Sequence, residues 1–198
     1  MTQNDLLALQ AKRALAAAAV TSGRGAGNLA GRAIAGVLRH AQEGELPLFA
    51  WTLGLSQPDL LGMIGQYFPE LGALEPMPQR EYAAIERAVP ASFRDLARLL
   101  FAHRSAGGDA RLADWLARAI AAACFGCRHL WQDLGLPNRS AVSALLEQHF
   151  QTLYRRNAED LKWKRFLFAE LGSAQGNPGM RPPACDRCDQ FRLCFPAQ

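Results

Sequence analysis

The chain has 198 residues, room for one compact domain with or without an attached tail. Hydrophobic residues make up 49% of it, enough to bury a sizeable core, while a net charge of +4 is too mild to define a nucleic-acid binder by itself. No apolar run is long enough to cross a bilayer, which excludes a membrane-spanning helix.

Alanine and leucine dominate and β-branched residues are sparse, so the expected fold is all-α, a single bundle-like helical domain. Leu6 to Val20 reads as a first helix with Asn4 as its N-cap. Its apolar stretch Ala14–Val20 is short and mostly alanine, and no cleavage site follows, so it is read as a helix and not as a signal peptide. Gly23, Gly25 and Gly27 then loosen the chain, and Leu29 to Gln42 forms a second helix. After Leu46–Leu55, the run Ser56-Gln57-Pro58-Asp59 has the form of a capping box with proline in the first turn. The helix it starts should end near Phe68-Pro69.

Pro76-Met77-Pro78 is a linker, and a helical segment follows from about Arg80 with a break at Pro90. Phe93, Leu96, Leu99, Leu100 and Phe101 mark its buried face. Gly107-Gly108-Asp109 is a turn before a helix from about Ala110 through Cys124. Leu134–Pro137 stops the chain again, Ser140–Phe150 is helical, and Asn157–Asp160 should cap a last helix running through Leu171. Gly172 to Pro183 holds three glycines and three prolines and reads as a loop or flexible arm. These breaks divide the chain into an N-terminal helical region (1–44), a helical core (45–171) and an arm with a cysteine-rich tail (172–198). One internal echo is visible. Leu53-Gly54-Leu55-Ser56 and Leu134-Gly135-Leu136-Pro137 each follow a tryptophan, Trp51 or Trp131, and each precede a short helix ending in Phe68 or Phe150. A duplicated unit and chance similarity both remain open.

The strongest chemical signal is Cys185-Asp186-Arg187-Cys188-Asp189-Gln190-Phe191-Arg192-Leu193-Cys194. A CxxC pair can turn both sulfurs toward one metal, and a third cysteine six residues on can close over it. Thiolates select zinc, Cu(I) or iron–sulfur clusters. Three cysteines are one short of a closed structural zinc site, which suits a carrier with an exchangeable position. The five cysteines form an odd set in two clusters, which points to metal binding in a reducing compartment, the cytoplasm, and away from secreted disulfides. The second cluster is Cys124-Phe125-Gly126-Cys127-Arg128-His129. Cys124 and Cys127 share a face if the helix continues, and they or His129 could supply a fourth ligand. Packing thiols at a helix end are the plain alternative.

From Gln151 on, eight Lys/Arg face five Asp/Glu, so most of the positive excess lies in the last quarter. A solvated helix face is the ordinary reading. The sharper one has one or two of Lys162, Lys164 and Arg165 drawing in an oxyanion, since the three cannot all face one way. Trp131 and Trp163 read as core aromatics, Asp133 as a brace or turn residue, and His40, His103 and His149 as surface or packing residues. No Ser/His/Asp set, phosphate loop or carboxylate pair stands out, so an enzyme is not expected. No βαβ pattern surrounds either CxxC, which argues against a thiol redox protein, and no basic–aromatic repeat argues for nucleic acid. A zinc-stabilised interaction module built on Cys185, Cys188, Cys194 and one of Cys124, Cys127 or His129 is the main alternative.

The runs His129-Leu130-Trp131-Gln132-Asp133-Leu134-Gly135-Leu136-Pro137 and Asp160-Leu161-Lys162-Trp163-Lys164-Arg165-Phe166 resemble the NifQ family of nitrogen-fixation proteins. So do the terminal cysteine segment through Leu193-Cys194-Phe195 and the stretch from Leu53-Gly54-Leu55-Ser56 to Phe68-Pro69. The resemblance covers about residue 45 to the end. It implies an iron–sulfur cluster of the three- or four-metal cubane type that includes molybdenum. It also implies a role as molybdenum donor for nitrogenase iron–molybdenum cofactor assembly, fed by molybdate or another molybdenum source, with cofactor-assembly proteins as partners. The family motif C-x4-C-x2-C-x5-C places its last three cysteines on Cys185, Cys188 and Cys194, while its first position falls on Met180. A thioether ligates more weakly than a thiolate, so Cys124 or Cys127 is expected to replace it.

Overall fold

A computed structural model describes residues 29–69, 74–187 and 191–195. The expected first helix, the glycine-rich stretch after it and Cys188 lie outside the described residues. The described chain is all-α and contains no strand. In chain order, α1 is Leu29–Gln42, followed by a 3₁₀ turn at Leu48–Thr52, α2 (Gln57–Tyr67), α3 (Gln79–Arg87) and α4 (Ala91–Ala102). The second half has α5 (Ala110–Ala123), α6 (Leu130–Asp133), α7 (Arg139–His149), α8 (Gln151–Arg156) and α9 (Trp163–Ala174). A 3₁₀ turn at Cys185–Arg187 and α10 (Phe191–Cys194) follow. No described helix is long and apolar enough to cross a membrane.

The centre is α5, which packs against α1, α4 and α6. Its alanines Ala117, Ala119, Ala121, Ala122 and Ala123 are fully buried, and their small side chains let neighbouring helices approach closely. Asp109 starts it, its carboxylate accepting from the Arg111 and Leu112 amides at 2.8 and 3.3 Å. One continuous core runs from Ala30 to Leu171. Along α4, Phe93, Leu96 and Leu100 are fully buried, whereas Leu99 and Phe101 are only partly so. The core aromatics meet edge to face: Phe49 with Phe93 at 5.2 Å, Phe49 with Phe125 at 5.3 Å and Phe125 with Phe168 at 6.1 Å between centroids.

The internal echo extends well beyond the residues that suggest it. Helices α1 and α5 end at Gln42 and Ala123, 81 positions apart. Each is followed by a short helical turn, a glycine with positive φ (Gly54 at 61°, Gly135 at 62°) and an 11-residue helix. Ser56 caps α2 by accepting from the Asp59 amide, and Asn138 caps α7 by accepting from the Ala141 amide. Both helices end on phenylalanines with nearly the same backbone, Phe68 at φ −133°, ψ 56° and Phe150 at φ −139°, ψ 50°. Each central helix also packs on the other unit's glycine turn. Gly36 of α1 lies against Leu134, where an added Cβ would stand 2.2 Å from the carbonyl oxygen, and Arg118 of α5 donates to the Leu53 and Gly54 carbonyls. The two stretches 29–68 and 110–150 therefore follow one helical plan.

The end of the domain differs from expectation at the cap of its last helix, while the Gly/Pro arm is a loop as expected. Asn157–Asp160 does not cap the last helix. Asn157 instead clamps Leu161 with two side-chain bonds of 2.9 Å, Asp160 takes a left-handed φ of 50°, and α9 begins only at Trp163. Beyond it, the Gly/Pro arm folds back onto α9. Gly172 lies so close to the Asn177 carbonyl and Met180 that a Cβ would sit 2.2 and 2.9 Å from them. Pro182 and Ala184 are buried.

Candidate metal centre

Helix α5 ends at Ala123, and the chain turns at once. Cys124 occupies the C-cap and is fully buried, Phe125 inserts into the core, and Cys127 emerges exposed. The helix does not continue, so Cys124 and Cys127 do not share a face. Gly126 is required here, because a Cβ would stand 2.3 Å from Asp133 Oδ2 and 2.6 Å from Leu46. That gap lets Lys164 Nζ donate to the Gly126 carbonyl at 2.8 Å.

Asp133 is the buried hub of the site, with no exposed surface. Lys164 Nζ lies 2.6 Å from its Oδ2 and Arg128 Nε 2.9 Å from its Oδ1. Arg128 continues to Glu45 Oε2 at 2.8 Å, and the same oxygen is 2.6 Å from His40 Nδ1. Burial works against the charge on Arg128, but the hydrogen bond and carboxylate of Asp133, helped by Glu45, raise its pKa above the usual guanidinium value. A chain of charges thus ties α1, the α5–α6 turn, α6 and α9 together. His40 is a buried residue at the end of this chain, its Nδ1 against Glu45 Oε2, so of surface and packing residue it is the second. His103 is a surface anchor, its Nδ1 2.8 Å from Thr152 Oγ1.

On one side of this network opens a cleft of about 190 Å³ lined by Cys185, Cys194, His129, Trp131, Arg139, Lys162, Trp163, Lys164, Arg165 and neighbours. Of the expected site residues, Cys185, Cys194, His129, Lys162, Lys164 and Arg165 line this one cleft, and Cys124 does not. The segment bearing Cys194 is held over α9 by cations on rings. Arg181 lies 4.7 Å from the Phe195 centroid and 5.7 Å from that of Phe191, and Arg165 lies 5.3 Å from Phe195. Cys127 opens instead to a second cavity, with Glu45, Leu46 and Pro47. Met180 packs into the core over Gly172 and does not line the cleft. None of the four described cysteines is in a disulfide.

Burial pushes the Cys124 thiol up to about 12, with Lys164 opposing and Asp133 and Cys185 adding to the rise. Trp163 is buried as expected and donates its indole N–H to Ser143 Oγ at 3.2 Å. Trp131 is half-buried and stacks nearly parallel to His129, with centroids 6.5 Å apart and planes at 10°. Arg128, Arg139 and Glu45 are site residues that sequence reasoning passes over. Charged residues in turns carry no pattern that tells a solvated side chain from a paired one, and only Asp133, set among Leu130, Leu134 and Leu136, offers a hint.

No solved structure matches this chain. A family model described as NifQ matches residues 33–196. Protein NifQ of Rhodobacter capsulatus is 32% identical over 160 residues, covering 80% of this chain and 83% of that protein. Protein NifQ of Klebsiella pneumoniae is 31% identical over 163 residues, covering 80% and 93%. Protein NifQ of Azotobacter vinelandii is 39% identical over 84 residues, a match spanning only 43% of its length. With a family match across most of the chain, including both the helical units and the cysteine tail, the chain belongs to the NifQ family.

Proposed function

We propose that this chain is an iron–sulfur carrier in nitrogen fixation. In this reading it holds a cluster on Cys185, Cys188 and Cys194, loads molybdenum, and delivers it to the proteins that assemble the nitrogenase iron–molybdenum cofactor in the cytoplasm. The observation that carries the reading is that Cys185 and Cys194 line one cleft with Lys162, Lys164, Arg165 and His129. The donor set fits such a cargo. Sulfur donors are soft, and the cations beside them offset the negative charge that thiolates and sulfides bring. When bound, the cluster supplies a metal position that can exchange, which a carrier needs and a turnover enzyme does not.

The cations divide into two roles. Lys164 and Arg128 are committed to Asp133 and hold the turn in shape. In this reading Arg165, over the Phe195 ring at the cysteine segment, and Lys162 at the cleft wall add positive charge that would attract molybdate.

The test is the iron, molybdenum, acid-labile sulfide and zinc content of protein purified without oxygen. Iron and sulfide in cubane proportion, with some molybdenum, is the expected result. Zinc alone, persisting after anaerobic reconstitution with iron and sulfide, would overturn the carrier reading in favour of a zinc-stabilised interaction module.

A further inference from the structure

The turn that closes α1 brings one ring nitrogen and two carboxylates together away from the cysteine cleft, and we propose that His40, Glu43 and Glu45 bind a divalent first-row transition-metal ion. His40 lies in the last turn of α1, and Glu43 follows three residues later on the same side. Gly44 then takes a left-handed φ of 76° and the chain folds back, so that the Glu45 and Leu46 amides both donate to the His40 carbonyl, at 2.9 and 3.2 Å. Glu45 is thereby returned to the imidazole. Nδ1 of the ring stands 3.4 Å from Glu43 Oε2 and 2.6 Å from Glu45 Oε2, and one donor atom from each residue lies within 4.8 Å of the other two.

The ring nitrogen separates this group from ordinary surface carboxylates. The His40 side chain is only 9% exposed, yet among the described residues Nδ1 has no hydrogen-bond partner, despite the carboxylate oxygens beside it. A buried polar atom left without a hydrogen bond is costly, and a metal ion would satisfy it while neutralising both carboxylates. Donors about 2.0–2.2 Å from such an ion stand about 3–3.5 Å apart, so Glu43 is in place and the exposed Glu45 needs to draw back by less than about 1 Å. The neighbouring cations do not bar the site. Arg128 can release Glu45 and keep Asp133 through Nε. Arg39 Nη2, 3.4 Å from the other ring nitrogen, is at the outer limit of a hydrogen bond and belongs to a half-exposed residue that can turn away. One imidazole with two carboxylates and no thiolate suits zinc, iron(II) or manganese(II), with water in the remaining positions. Such an ion would fasten the turn after α1.

The experiment titrates the full chain, freed of metal by chelation, with Mn²⁺, followed by electron paramagnetic resonance. Manganese is the probe because thiolates compete for it weakly. One saturable ion per chain is expected, with a ¹⁴N coupling in the pulsed spectrum. Glu43→Gln, at an exposed side chain, should weaken binding about tenfold or more. His40→Gln should abolish the nitrogen coupling, while Glu147→Gln, an exposed carboxylate elsewhere, should change neither. If circular dichroism shows the His40 variant to be unfolded, Glu43→Gln carries the test. Absence of a saturable site would overturn the inference and leave His40 as an ordinary packing residue. Binding that ignores Glu43→Gln, or a bound ion without nitrogen coupling, would overturn it in favour of scattered surface carboxylates. The carrier reading stands or falls separately from each of these outcomes.

Discussion

At the scale of single residues, the site is decided by how buried charges are paired. Asp133 has no exposed surface and answers two cations, Lys164 and Arg128. Replacing it leaves both without their buried counter-charge, a loss of about 3–5 kcal/mol. Asp133→Ala is therefore expected to lower the urea midpoint far more than Asp160→Ala, whose partner Arg139 is paired at the surface. A second prediction concerns pH. Cys124 is an acid whose pKa is raised from 9.0 to about 12 by folding, and burial also raises Tyr82, whose hydroxyl donates to the Leu55 carbonyl at 2.9 Å. Folding favours their protonated forms, so this stability is complete below the unfolded pKa and is lost as pH rises through the folded one. His149 is shifted the other way, lowered from 6.5 by burial, so its contribution fades as pH falls below that value. Apo-protein stability should thus be flat between roughly pH 6.5 and 9 and fall on both sides, as thermal unfolding across pH would show. In the same apo protein at neutral pH, alkylating reagents should modify Cys127 before the other described cysteines and leave Cys124 untouched until unfolding, read by peptide mass spectrometry.

At the scale of elements, the shared helical plan explains why the second half can carry a site. Both stretches use the same succession of devices: a long helix, a glycine turn, a capped 11-residue helix and a closing phenylalanine. Where the first unit buries the hydroxyl of Thr52, bonded at 2.9 Å to the Phe49 carbonyl, the second buries the carboxylate of Asp133. The first choice is self-satisfied, whereas the second recruits cations from elsewhere and builds the cleft wall. If the caps are equivalent, Ser56→Ala and Asn138→Ala should each cost about 1 kcal/mol by chemical denaturation. A large difference between them would show that the units bear unequal loads. The run from Asn157 to Asp160 shows how a cap-like pattern can be diverted. Its asparagine finds Leu161 first, and the helix start moves to Trp163.

At the scale of the whole molecule, the cysteine tail is positioned by contacts far apart in the chain. Arg165 on α9 and Arg181 on the arm hold Phe191 and Phe195, whose rings lie 5.2 Å apart, so that Cys194 is buried in the cleft wall. Cation–π contacts contribute on the order of 0.5–2 kcal/mol each. Phe195→Ala removes two of them and should raise the alkylation rate of Cys194 in apo protein by roughly tenfold, with Cys127 as an internal control that does not change. An unchanged Cys194 rate would mean that the arm is held mainly by Gly172, Pro182 and Ala184, and Gly172→Ala would then be the substitution that frees it.

The helical class, the C-terminal end of α1, the cap at Ser56, the break at Pro90 and the grouping of the cysteines were legible in the amino-acid order. Each rests on local chemistry within a few residues: periodicity, capping, proline geometry and thiol spacing. The motif resemblance likewise pointed to the family to which the chain belongs. Tertiary structure alone decided which thiols and cations meet. Cys124 and Cys127 look alike in sequence, yet Phe125 anchors one inward and turns the other out. Lys162, Lys164 and Arg165 read as one basic run, yet Asp133 claims Lys164 and Phe195 claims Arg165. The shared plan was visible only as a faint echo, because the two stretches agree in backbone and burial more than in side chains. Those distinctions depend on partners 30 or more residues away, and no local pattern encodes them.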